Sequence, residues 1–244
     1  MNQTPRIMAR GPLFLLALSL WGCAPVYYAP NTHNVPLMTR RGEGRAALYA
    51  GDHRGEIQAA YAADNGLGLM LNGAYVKEKD DKDGDGGSGK FAELGAGYFT
   101  RVRDYFVFET YGLMGYGDFG NHFPSTLDAH PGSTGRITGR FARYGVQPAF
   151  GFTSRYLDAA VSVRAVGVRY FNIEGGLVFD NRDQVDYLED RRSQFMLEPA
   201  LTIRAGYDFL KLQFQTGTSR NLGDARFRQE KGYWTAGVLY PWGG

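Results

Sequence analysis

One cysteine, Cys23, occurs in 244 residues. That excludes an intramolecular disulfide framework and any zinc site built on several thiolates. Four histidines, His33, His53, His122 and His130, show no HExxH motif and no paired ligand spacing. Charge is scarce in net terms: 27 basic and 25 acidic side chains leave +2, too little to attract nucleic acid. No apolar run is long enough for a membrane-spanning helix, which needs about 20 residues. From Gly44 onward no stretch repeats every 3.6 residues. What is abundant is glycine, 34 residues and about twice average usage, together with 16 Phe, 16 Tyr and 3 Trp. Glycine and aromatics in these amounts favour turns and strands over helix.

The first 22 residues carry Arg6 and Arg10, no acid, and an apolar run from Pro12 to Trp21. A basic start followed by about ten apolar residues reads as a signal peptide over 1–22. It ends in Leu20-Trp21-Gly22-Cys23, which resembles the bacterial lipobox, although Trp21 is bulkier than that motif usually holds. The resemblance implies cleavage before Cys23 and acylation of its thiol; the plainer alternative is an ordinary signal peptide with a bystander cysteine. Cleavage removes two arginines, leaving 25 bases against 25 acids. Ala24 follows the cysteine where inner-membrane retention uses Asp, so the resemblance implies the outer membrane. Residues 23–43, with Pro25, Pro30 and Pro36 and no period, read as an extended periplasmic tether.

The remaining 44–244 alternates. Phe195, Leu197, Pro199, Leu201, Ile203, Ala205 and Tyr207 share one face, opposite Glu198, Thr202 and Arg204. The segments 140–153, 209–216 and 232–242 repeat the pattern, and weaker strands fit 44–51, 55–63, 67–77, 90–100, 105–117 and 157–171. Connections near 64–66, 101–104, 154–156 and 208 are short, whereas those near 78–89, 118–137, 172–193 and 218–230 are long and polar. Short turns at one end and long loops at the other predict a single antiparallel transmembrane β-barrel of about ten strands, with eight or twelve as alternatives. An even count puts both barrel ends, and with them a lipid on Cys23, on the periplasmic side. Aromatics at strand ends (Tyr98, Phe99, Tyr105, Phe106, Tyr156, Tyr170, Phe171, Tyr240 and Trp242) fit interfacial girdles. A soluble β-sandwich or lipocalin-like barrel alternates as well. Pro148 and Pro199 fall mid-strand, where each predicts a bulge or a shared water.

The closing strand, Thr235-Ala-Gly-Val-Leu-Tyr-Pro-Trp242, resembles the assembly signal of outer-membrane barrels through Gly237, Tyr240 and Trp242; Gly243 and Gly244 depart from it. The motif Cys-Ala-Pro-x-Tyr-x-x-Pro-Asn-Thr-x-Asn-Val-Pro-Leu (23–37), with Gly55–Ala62 and Leu67–Asn72, is similar to uncharacterised lipid-anchored barrels of Gram-negative bacteria. That resemblance implies fold, location and partners: outer-membrane lipid, the barrel-insertion machinery and the lipoprotein-processing machinery. It implies no activity.

Candidate chemistry is sparse. Asp81, Asp83 and Asp85 match the first half of a calcium loop, but Ala92 stands where a bidentate Glu is needed, so a solvated acidic loop is the better reading. His122, Ser125 and Asp128 share one irregular loop with no scaffold to fix a hydrolase geometry. The faces opposite the apolar ones carry Glu56, Gln58, Glu93, Arg143, Gln147, Arg164, Glu198, Arg204, Lys211, Gln213 and Gln215. If apolar faces meet lipid, these line a lumen narrow enough that opposite charges must pair. The expectation is a plugged, non-enzymatic envelope barrel without cofactor, acting structurally or through its loops. A small-solute channel is the first alternative and a membrane-embedded hydrolase or acyltransferase the second.

Overall fold

The computed structural model describes residues 24–77, 86–123 and 132–243. In chain order the elements are β1 (Gly44–Gly51), β2 (Arg54–Asp64), β3 (Leu67–Lys77), β4 (Gly86–Arg103), β5 (Phe106–Phe123), β6 (Gly135–Thr153) and β7 (Leu157–Gly175). A small hairpin, β8 (Val178–Phe179) with β9 (Arg182–Asp183), leads into α1 (Gln184–Glu189). There follow β10 (Ser193–Tyr207), β11 (Leu210–Thr218), β12 (Arg220–Asn221) and β13 (Gly232–Trp242). Each long strand pairs antiparallel with the next, β12 prolongs β11, and β13 returns to β1, closing a ten-strand barrel. Closure leaves no sheet edge unpaired, as a strand-built membrane span requires. No helix among the described residues is long and apolar enough to cross a membrane.

Alternation decides which way each side chain points, and the apolar set points out. Leu48, Ile57, Leu71, Leu94, Met114, Val161, Leu212 and Val238 are exposed on the outer wall, Met114 at 74%. A soluble barrel would turn this set inward; an unbroken apolar exterior needs lipid as its solvent. Aromatics border it at both ends. On β13, Trp234 and Trp242 are eight residues apart, about 26 Å along a strand and about 20 Å along a barrel axis at typical tilt. That approaches the roughly 25 Å apolar band of transmembrane barrels.

Of the aromatics expected in the girdles, Tyr98, Tyr105, Tyr156, Tyr240 and Trp242 do face outward. Phe99 and Tyr170 do not: both are buried within the barrel, because each falls on the inward parity of its strand. The prolines also differ from expectation. Register shifts occur at Ala62/Asp64, Arg101/Arg103 and Thr138/Arg140, none of them at a proline. Pro199 pairs in register with Val163; at Pro148 the pairing with β7 lapses between Val146↔Ala165 and Ala149↔Ser162 without a bulge.

The long loops are shorter than the polarity of the sequence suggests. β4 starts at Gly86 and β5 runs on to Phe123, so strand structure continues past the apolar band. Both barrel ends lie at the short-turn end, where Gly44 pairs with Trp242.

The largest departure is the tether. Residues 25, 27, 28 and 30–38 are buried. The segment from Ala24 to Thr39 runs through the lumen instead of hanging below it. Its start is at the long-loop end, where the Val26 N–H meets Asn121 Oδ1 at 3.2 Å and the Tyr27 N–H donates to the Arg228 carbonyl at 3.0 Å. Its finish is at the short-turn end, where the Thr39 N–H donates to Glu43 at 2.8 Å and Gly42 binds the Ala62 carbonyl. A turn at 40–43 then reverses the chain into β1. The expectation that the N-terminal segment leaves the barrel on the periplasmic side is therefore not met. Three apolar clusters include this strap: Tyr27 and Tyr28 at the loop mouth, Val35 and Leu37 against Val107, Ala149 and Ala160, and Met38 against Met70, Phe99 and Tyr111.

Candidate functional site: the strap and its cradle

An extended chain inside a membrane barrel exposes backbone N–H and C=O groups that water cannot reach, and each unpaired group is costly. Here the inward side chains supply the partners. Glu56 on β2 accepts the Thr32 N–H at 2.9 Å, and Gln58 returns a bond from Nε2 to the Thr32 carbonyl at 2.8 Å. Gln215 on β11 brackets His33, accepting from its N–H at 2.6 Å and donating to its carbonyl at 2.9 Å. Gln147 donates to the Asn34 carbonyl at 2.7 Å, Arg204 to Val35 at 2.6 Å and Arg45 to Leu37 at 2.9 Å. Glu109 accepts the Leu37 N–H at 2.9 Å. Arg54 donates to the Pro30 carbonyl and also binds Glu230.

The ionic residues pair with one another while holding the strap. Arg143 on β6 meets Glu93 on β4 at 2.6 Å, donates to Asn31 Oδ1 at 2.8 Å and stacks over Phe91. Arg164 on β7 meets Glu198 on β10 at 2.8 Å and donates to the Asn31 carbonyl at 2.8 Å. Glu198 also accepts from the Tyr28 hydroxyl at 2.7 Å and from Ser219 at 3.1 Å. Lower in the lumen Lys211 donates to Asp158 at 2.7 Å, with Arg204 at 3.9 Å from the same carboxylate. All these groups are essentially buried. Planar guanidinium forks suit this double duty, since one edge grips a carboxylate while another reaches a carbonyl.

The charged lumen residues singled out in the sequence (Glu56, Glu93, Arg143, Arg164, Glu198, Arg204 and Lys211) all face inward. Glu56, Arg143, Arg164, Glu198 and Arg204 bond the strap, Glu93 backs it through Arg143, and Lys211 pairs with Asp158. Not foreseen were Glu109 and Asp158, whose inward parity the alternation of 105–117 and 157–171 did offer. Nor were the strap residues themselves; the only signal was the dense Pro-Asn-Thr-His-Asn-Val-Pro run at 30–36. His33 is buried with Nδ1 2.7 Å from Ser162 Oγ, but cradle and strap enclose the pair. Among the described residues no group of three His, Cys, Asp or Glu could hold a metal ion. Asp81, Asp83, Asp85, Ser125, Asp128 and Cys23 lie outside the described residues.

The closing strand carries Gly237, Tyr240 and Trp242. A Cβ at Gly237 would lie 2.0 Å from the Leu48 carbonyl and 2.5 Å from the Tyr49 ring, so only glycine fits. Tyr240 and Trp242 stack outward, 6.2 Å apart, beside the β1–β13 seam.

The two mouths differ. At the loop end Tyr27, Phe119, Tyr170, Tyr187 and Phe227 pack together with α1 above the strap. The Asp183 side chain caps α1 by accepting from the N–H groups of Val185 and Asp186. Asp224 accepts from the Arg226 N–H and from Arg191, which hold its carboxyl below the usual range. Burial pushes Glu230 the other way, opposed by Arg54. At the turn end a funnel of about 950 Å³ stays open, rimmed by Arg40, Arg101, Asp104, Arg155 and Asp208.

No protein-family model and no curated relative matches the chain. Among solved structures it is similar to LpxR from Salmonella typhimurium, at 8% identity and TM-score 0.36 over 82% of this chain and 99% of that one. The KdgM porin is 10% identical with TM-score 0.34 (81% and 98%), and the NanC porin 11% identical with TM-score 0.36 (81% and 98%). Likeness at this level reaches neither activity nor substrate. The transmembrane barrel is defined by the chain's own closed sheet and apolar exterior.

Proposed function

We propose that the protein is a non-enzymatic outer-membrane lipoprotein barrel, closed by its own N-terminal strap, that serves the cell envelope structurally or by binding through its loop face. The observation carrying this reading is the strap: twelve buried residues between 25 and 38 occupy the space a solute would use, bonded to nearly every wall strand. A solute channel needs a wet path through the lumen, and the buried strap occupying that path supports the plugged reading over the channel. The ordered loop layer, with β8–β9, α1 and residues 222–231 packed on one aromatic cluster, supports binding at that face. Acylation of Cys23 rests on the lipobox alone.

Purified wild-type protein in a planar bilayer is expected to pass no steady current. A variant lacking residues 24–39, shown by heat-modifiable migration to be folded, is expected to conduct. Steady single-channel currents from the wild type would sink the plugged reading in favour of a channel.

A further inference from the structure

Resting on the lipidated Cys23 of the proposed function, we infer that this lipid sits in the leaflet on the long-loop side, so that the anchor faces outward from the cell. Ala24 packs against the loop-mouth cluster of Tyr27, Phe119, Phe141 and Tyr170. From there the chain descends to Thr39 at the opposite mouth. Cys23 is one peptide away from Ala24, about 3.8 Å between Cα atoms. The far interface lies across an apolar band of roughly 25 Å. One residue cannot bridge that distance, and the lumen it would have to re-enter is filled by the strap itself.

The walls beside the strap at this mouth differ from those lower down. β3 and β4 turn Ala74, Gly87 and Gly89 inward, where the strands across the mouth place larger side chains such as Phe119, Phe141 and Tyr170. The small residues leave a slot of about 60 Å³, bordered by Val26, Ala29, Ala74, Val76, Gly89 and Phe91. Together with the aromatic cluster on which Ala24 packs, it gives the strap's beginning apolar surroundings at this mouth, with Lys90, Asp118 and Glu230 also bordering the slot.

A short epitope inserted between Cys23 and Ala24 tests the side. Intact cells should bind antibody as strongly as permeabilised ones, whereas the same epitope at Asp104, in a short turn, should be detected only after permeabilisation. Ala24→Cys and Asp104→Cys, treated with a membrane-impermeant maleimide, give a second readout that adds almost no bulk. Detection of the N-terminal marker solely after permeabilisation would overturn the inference. Lipidation is followed separately: wild type should incorporate labelled fatty acid and Cys23→Ser should not. Equal labelling of the two defeats the lipoprotein reading while the epitope still reports the side on which the strap begins.

Discussion

The barrel's two mouths are built from the same strands yet close by different physics. At the loop end the seal is apolar: Tyr27 meets Phe119 edge-on at 5.5 Å, and Tyr170 lies 5.9 Å from Phe227, under a helix whose Leu188 is fully buried. At the turn end charged residues ring an open funnel, and the strap is held by bonds such as Thr39 to Glu43 at 2.6 Å and Arg45 to Leu37. Between them lies the fully buried ionic belt. The comparison teaches that closure depends on the belt and the loop mouth, while the turn mouth is a solvated rim.

The largest effect should come from the belt. Glu198→Ala strands Arg164 beside the strap, and a buried ion pair broken on one side costs about 3–5 kcal/mol. Denaturant unfolding in detergent measures it; a loss below about 1 kcal/mol would mean that water reaches the belt and that the two regions are less distinct than their burial implies. Next is the loop mouth, where Leu188→Ala removes a buried side chain from α1 at a cost of about 3 kcal/mol. Limited proteolysis should then cut the loops around 176–192 first and leave the barrel resistant.

Smaller still is Asp224→Asn, expected to cost under about 1 kcal/mol because its pair with Arg191 is partly solvated. Its carboxyl titrates lower folded than unfolded, so the contribution is complete above the unfolded value near 4 and fades as pH falls through the folded one. A wild-type advantage that persisted undiminished in strong acid would contradict this. The smallest effect is at the rim: Arg155→Ala breaks an exposed pair with Asp208 and should change stability by no more than about 0.5 kcal/mol.

The outer wall was legible because lipid imposes one rule on every outward residue, and period two exposes it: Leu210, Leu212 and Phe214 against Lys211, Gln213 and Gln215 need no further context. The inward set was legible as polar for the same reason. Its partners were not. Pairing of Arg143 with Glu93, or of Arg164 with Glu198, depends on cross-strand register and curvature, which alternation does not encode. The strap escaped because proline and the absence of a period describe a solvated linker and a cradled peptide equally well. Only the clustering of Asn31, Thr32, His33 and Asn34 between Pro30 and Pro36 set it apart.

A ring around a thread raises a question of order in time. Between Asn31 and Met38 the strap fills its sleeve, and guanidinium and carboxylate groups grip it from most sides. Passing a loose end down a finished sleeve would require releasing those grips in series, and a lipid on that end would have to make the same journey. The simpler course is for the sheet to curl about the strap while still open. The 40–43 turn ties the strap to β1, whose seam with β13 closes the sheet around it, so winding the sheet onto the strap needs no grip released.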